Sequence, residues 1–315
     1  MKRRHTFLIV FFITLLIILS LIHINVLQKS TEDLQQLIFW EFKVPRLLSA
    51  LLAGAGLSIS GLLMQNLFQN PMAGPYVLGI NSAASLFIAI MVLGVAPSFW
   101  GVFSYVGAAM CGAFISASLM FVVSRRVQNL QSLLVIGLMF ASFMGAFESI
   151  LQSFASPEQV KQIYIWNMGS LQQLSADQVP WFMFFVLAGI SLCFPVIKAL
   201  NAFVLGELHA AQLGISVKKI RIILLLIAAL LAGSITAFCG PIAFVGLAIP
   251  NLTRALLKTQ DHLILILFTA LIGSIFLLVV DSMILILDPW ISLPLNVLTA
   301  GLGAPYVAYL MLKSK

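Results

Sequence analysis

Ten apolar runs, each near the length of one membrane crossing, constrain this chain more than any other feature. They lie at about 7–27, 45–65, 77–95, 99–123, 131–153, 179–199, 219–239, 241–257, 263–286 and 293–312. A helix crossing the hydrocarbon core needs about 20 residues. Backbone N–H and C=O groups must be satisfied internally there, so such runs fold as a bundle of helices. The run at 241–257 is the weakest. It is short, opens after Gly240-Pro241 and contains Pro250, so a broken or re-entrant helix is the alternative. Composition points the same way. Hydrophobic residues make up 61% of the chain and charged residues 9%, against about 25% charged in an ordinary soluble domain. Mean hydropathy is +1.10. The expectation is an all-α integral membrane protein, residues 1–315 forming a single transmembrane domain. A secreted domain, a nucleic-acid binder and a typical cytosolic enzyme are excluded.

The net charge of +7 reads as a topology signal rather than as affinity for a polyanion. With a cytoplasmic N-terminus and ten spans, the inside holds Lys2, Arg3, Arg4, Arg125, Arg126, Lys198, Lys218, Lys219, Arg221, Arg254, Lys258, Lys313 and Lys315. The outside holds Lys29, Lys43, Arg46 and Lys161, a split of 13 to 4 among the 17 basic residues. Positive charge concentrates on the cytoplasmic side of membrane proteins, so the count supports ten spans with both termini inside. Without the eighth crossing, Lys313 and Lys315 would fall outside. The first run follows Lys2, Arg3 and Arg4 as a signal peptide would. It is too long for a signal h-region, and HINVLQKS after it has no small-x-small cleavage site. An uncleaved first span is expected.

No G-x-x-x-x-G-K-[ST], H-E-x-x-H or G-x-S-x-G occurs. No catalytic residue and no metal site is expected. His5, His23, His209 and His262 are scattered near span ends. Cys111, Cys193 and Cys239 lie far apart in apolar runs and read as small packing residues. Two acids sit inside or near the ends of spans, Glu148 and Asp281. A mid-membrane carboxylate costs about 2.5–3.5 kcal/mol on insertion scales. One reading makes them a proton or cation relay; the other places them near an outer vestibule, satisfied by water. Small residues at helical spacing, Ala108, Gly112 and Ser116, and again Gly233 and Ala237, argue for close helix packing.

Residues 50–61 (ALLAGAGLSISG) match residues 229–240 (ALLAGSITAFCG) at six of twelve positions. Five spans separate the copies, an odd number, so they run in opposite directions. Inverted repeats mark transporters; chance similarity between Ala/Leu/Gly-rich helices is the competing explanation. A polar segment, LNAFVLGELHAAQLGISVKKIR at 200–221, follows the sixth span on the cytoplasmic side. Gly206 and Gly214 punctuate it. A short helix between them puts Glu207 in its first turn, where the helix dipole favours an acid. Connections this long are usually functional or disordered, and this one has a helical pattern suited to docking a cytoplasmic partner.

Taken together, these segments resemble the FecCD-type permease family, the membrane subunits of ABC importers for iron–siderophore complexes, haem and cobalamin. The similarity runs from about residue 43 to 312. KVPRLLSALLAGAGLSISGLLMQNLFQNPMAGPYVLGI resembles the family's R-x-P-R start and its Q-x-x-x-x-N-P-[LM]-A-x-P-x-x-L-G stretch. WNMGSL at 166–171, LGELHAAQLGI at 205–215, GPIAFVGLAIPNLTR at 240–254 and LPLNVLTAGLGAP at 293–305 resemble four further blocks. The resemblance implies a cobalamin-permease-like (type II importer) fold of ten spans with an inverted repeat. It implies a second permease subunit, with a homodimer the expected form, and two cytoplasmic ATPase subunits. A periplasmic or lipid-anchored binding protein would deliver cargo, and the setting is the bacterial inner membrane. ATP would be bound by the ATPase subunits, so this chain is expected to carry no cofactor and to be no enzyme. Gly206, Glu207, Leu208, His209, Ala210, Ala211, Leu213 and Gly214 would form the ATPase-coupling segment, within about 201–216. Lys43 and Arg46 would dock the binding protein; for Arg46, interfacial snorkelling at a span end is the competing reading. The chain departs from the family pattern at Asn251 (often His), Gly74 (often acidic), Leu285 (often Arg) and Asn296 (often Gly). The expected cargo is a ferric siderophore or haem, with cobalamin as alternative and an ion-coupled secondary transporter as competitor from another class.

Overall fold

A computed structural model describes residues 2–26, 36–94, 104–127 and 129–313. All regular secondary structure among them is helical. A helix stands at each of the ten apolar runs: α1 (Lys2–Val26), α2 (Val44–Phe68), α3 (Ile80–Val92), α4 (Ser104–Arg126), α5 (Leu130–Ser153), α7 (Val179–Cys193), α10 (Val217–Cys239), α11 (Val245–Leu257), α12 (His262–Leu287) and α13 (Leu295–Lys313). Three shorter helices lie between them: α6 (Pro157–Asn167), α8 (Ile197–Phe203) and α9 (Glu207–Gln212). Among the described residues, seven stretches are long and apolar enough to cross a membrane. Helices α3 and α11 are 13 residues each, about 20 Å at about 1.5 Å per residue, less than the roughly 30 Å hydrocarbon core. Both enter the bundle through irregular backbone. Pro71, Pro75 and Gly79 postpone the start of α3, and a 3₁₀ turn, Pro75–Leu78, precedes it. Gly240 and Phe244, both at positive φ, postpone the start of α11.

The repeated sequence is a repeated packing. Helix α2 lies against α12, and α10 lies in the same way against α4, with α2 and α10 side by side at the centre. Each is followed by one of the two short helices. Gly54, in the first ALLAG, presses its backbone side against Gly273 of α12, leaving no room for a Cβ. Gly233, in the second, faces Ala113 of α4, where an added Cβ would lie 3.1 Å from the alanine methyl. Ser60 Oγ donates to the Ala228 carbonyl at 2.9 Å, tying α2 to α10. Without a hydrophobic force between helices in lipid, such close approach and interhelical bonds supply the association. Gly112 packs on the backbone of Ala83, and Ser116 Oγ donates to the Leu78 carbonyl at 2.5 Å, so the small strip on α4 seats α3. Cys193 and Cys239 are buried, Cys111 is exposed, and all three are free thiols.

Helix α6 is an element the apolar runs do not predict. A capping box starts it: Gln159 N–H donates to Ser156 Oγ at 3.3 Å and Ser156 N–H to Gln159 Oε1 at 2.9 Å, with Pro157 in the first turn. This satisfies two orphan donors at once.

Candidate functional site

Polar side chains gather at the two ends of the bundle. At the end assigned to the outside, the chain enters α2 through a π-helical turn, Phe39–Lys43. Arg46, in the first turn of α2, forks onto Asp281 of α12: Nε donates to Oδ2 at 2.7 Å and Nη2 to Oδ1 at 2.9 Å. His23 Nε2 of α1 lies 2.7 Å from the same Oδ2. All three are buried, at 7%, 1% and 0% exposure. A planar guanidinium matches a carboxylate bidentately, and the pairing is what lets an acid persist at this depth. Lys43 is buried as well. Within the single chain both expected docking cations are thus buried: Arg46 is engaged by Asp281 and also forms part of the wall of a cavity of about 310 Å³ with Ser170, Gln172, Asp288 and Ser292. Glu148 on α5 accepts from Asn167 Nδ2 and Gln152 Nε2, both at 3.0 Å, and Asn167 in turn accepts from Ser85 at 2.7 Å. Asp281 thus has side-chain partners on both oxygens, while Glu148 receives both of its bonds on Oε1.

Three of the sequence blocks meet beside that cavity. Ser170 N–H donates to the Cys239 carbonyl at 2.8 Å. Asn296 is the hub: its Nδ2 donates to the Pro241 carbonyl at 2.9 Å, and its Oδ1 accepts from Ala243 N–H at 2.9 Å. The Asn296 N–H points to the Met168 carbonyl at 3.4 Å. Gly169 and Gly240 pack backbone on backbone here, each at positive φ. The departure from the family pattern at Asn296 therefore supplies a cross-brace between 166–171, the entrance to α11 and the start of α13. Asn251 makes a similar tie, Nδ2 donating to the Pro71 carbonyl at 2.8 Å.

The other end carries the segment expected to couple to a partner. Gly206 and Gly214, at φ +95° and +80°, bracket α9, and Glu207 lies in its first turn. Glu207 Oε1 accepts from Arg221 Nε at 2.8 Å, and the second guanidinium bond goes to Oε2. This clamps α9 onto the base of α10. Ala210 is fully buried and fixes the inner face. The outer face is apolar: Leu208 is 81% exposed, Leu213 66% and Leu205 64%. His209 and Ala211 are exposed beside them. Three exposed leucines beyond the ends of the spans form a patch that a protein partner would cover.

Sequence reasoning placed Asp281 and Arg46 toward the same side of the membrane without joining them. The signal was their shared depth: a buried acid needs a cation at its own level. His23 gave no signal beyond lying near the end of its run. No group of three or more His, Cys, Asp or Glu capable of holding a metal occurs among the described residues.

Comparison with known proteins matches residues 6–313 to the model of the FecCD transport family. The chain is 32% identical to the hemin transport system permease protein HmuU of Yersinia pestis, over 94% of this chain and 90% of that one. It is 33% identical to the vitamin B12 import system permease protein BtuC of Vibrio cholerae, over 91% and 86%. A solved structure described as an inward-facing conformation of a metal-chelate type ABC transporter superposes with a TM-score of 0.88 at 26% identity, covering 97% of this chain and 99% of that one.

Proposed function

The chain belongs to the FecCD transport family, and on that premise we propose that it carries an iron chelate, ferric siderophore or haem, inward across the bacterial cytoplasmic membrane. Members of the family are permease subunits of ABC importers that work with ATPase and substrate-binding partners. The chain is accordingly an integral membrane permease and no enzyme. In our reading two copies form the pathway, both termini are cytoplasmic, and two ATPase subunits bind all the ATP. A periplasmic or lipid-anchored binding protein delivers the cargo.

The observation that carries this reading is the exposed Leu205–Leu208–Leu213 patch on a short helix that Glu207 and Arg221 lock to α10. Docking there would bury apolar surface, each leucine contributing about 1.5–3 kcal/mol. A movement of the ATPase would pass through the clamp into α10, one of the two central helices. Nucleotide state and binding-protein docking each need to bind only one access state better to shift the population. Cobalamin stays as a second cargo, because the vitamin B12 permease is as similar to this chain as the hemin permease. The ion-coupled alternative loses its main support, since Asp281 is already engaged by Arg46 and His23.

Co-purification of the ATPase chain with this permease tests the coupling segment. Leu208→Glu removes the apolar anchor, and Glu207→Arg sets two guanidinium groups against each other at the clamp. Both are expected to lose the ATPase from the complex. Undiminished co-purification with both variants would count against the assignment.

A further inference from the structure

Helices α4 and α10 leave a groove on the outer surface of the bundle, with a volume of about 390 Å³. Its floor is made of small residues, Ala113 and Ala117 of α4 and Ala229 and Gly233 of α10. Its rims are Phe114, Phe121, Leu226 and Leu230. Gly233 stands level with Ala113, and Phe121 and Leu226 line the same groove; as the fourth and seventh of the ten spans, the two helices run antiparallel. Met110 to Phe121 covers about 17 Å along α4. That is close to one leaflet of a hydrocarbon core about 30 Å thick.

The groove is closed by charge at one end only. Beyond Phe121, α4 ends in Arg125 and Arg126; on the antiparallel partner, the first turn of α10 carries Lys218 and Lys219. Arg125 lies about 6 Å past Phe121, and Lys219 about 10 Å past Leu226. All four are exposed, and none has an acidic partner among the described residues. The Arg125 guanidinium carbon sits 5.7 Å from the centroid of the Phe121 ring, so the cation is held at the mouth of the apolar slot. An apolar slot one leaflet long ending in four cations is complementary to one class of molecule. We propose that this groove holds an acyl chain of one anionic phospholipid, with its phosphate bound by Arg125, Arg126, Lys218 and Lys219. A zwitterionic lipid fits the slot but adds a cation where four already stand. Guanidinium groups recognise phosphate bidentately, and basic clusters at helix ends bind anionic headgroups.

The test is native mass spectrometry of the full chain in neutral detergent, offered equal amounts of dioleoyl-phosphatidylglycerol and dioleoyl-phosphatidylcholine. One phosphatidylglycerol per chain is expected to be retained in preference. Each exposed cation changed to glutamine should weaken that preference about fivefold, on the scale of one basic residue at an anionic surface. Ala117→Phe fills the slot without touching charge, and should lose retained lipid of either kind. Equal retention of the two lipids by the parent chain overturns the proposal on its own, before any variant is made. Unchanged preference after all four cations are replaced overturns it as well. If Ser118→Cys in a Cys111→Ala background cross-links two copies in membranes, the groove is a contact between copies and the lipid reading fails.

Discussion

Removing Asp281 alone should do more damage than removing it together with Arg46. Its carboxylate takes two guanidinium bonds, at 2.7 and 2.9 Å, and lies 2.7 Å from His23 Nε2. Asp281→Leu leaves a guanidinium 7% exposed with no counter-ion, and breaking one partner of such a buried pair costs about 3–5 kcal/mol. Arg46→Met leaves the carboxylate with His23 alone and should cost a similar amount. Exchanging both, Arg46→Met with Asp281→Leu, removes the desolvation cost of both ions, and such replacements are neutral or stabilising by about 1–4 kcal/mol. The double variant should therefore be more stable than either single variant, by at least about 3 kcal/mol. Unfolding of the purified chain by SDS titration in mixed micelles reads this coupling. Additive losses would refute the buried pair as the organising contact, and so would an Asp281→Leu chain as stable as the parent. The stable double variant then separates structure from docking: if Arg46 also receives the binding protein, the double variant folds normally but docks weakly.

The repeat packing makes a sharper steric prediction. Gly61 of α2 has the Gly246 backbone where a Cβ would lie, so Gly61→Ala should cost about 1–3 kcal/mol by overpacking in the same SDS titration. Gly145, with open space around it, should tolerate alanine. Asn296→Ala strips the cross-brace from the Pro241 carbonyl and the Ala243 N–H; a loss of about 1–3 kcal/mol is expected for the buried groups left unpaired, and no loss would show the brace to be dispensable. Lys43→Glu, which leaves the Arg46–Asp281 fork intact, should weaken binding-protein affinity more at 10 mM than at 500 mM salt (~30 Å against a few Å of screening length); unaltered affinity at low salt removes Lys43 from the docking surface.

The bundle was legible because lipid leaves the backbone only one way to satisfy itself, and ten apolar runs give ten helix positions. Their lengths were less legible. The run at 77–95 yields only Ile80–Val92, since the 3₁₀ turn Pro75–Leu78 and a left-handed Gly79 delay its start. Helix α6 was overlooked because hydropathy was the guide, although Ser156-Pro157 followed by Gln159 is a capping-box start written in the sequence. The short helix between Gly206 and Gly214 was legible from two glycines and an acid between them, and it stands at Glu207–Gln212. Its clamp to Arg221 was not, because nothing local tells which cation a folded loop will meet. The hub at Asn296 was illegible for a related reason: its partners are backbone groups of distant segments, and only the fold brings them within reach.

Uptake into proteoliposomes tests ATP-driven import of an iron chelate most directly. The chain would be reconstituted with its ATPase and binding protein, and supplied with radioiron-loaded siderophore, haem or cobalamin. Accumulation of one iron chelate only with internal ATP and the binding protein, and none with a non-hydrolysable analogue, is the predicted result. Uptake indifferent to ATP but following an imposed proton or sodium gradient would contradict it.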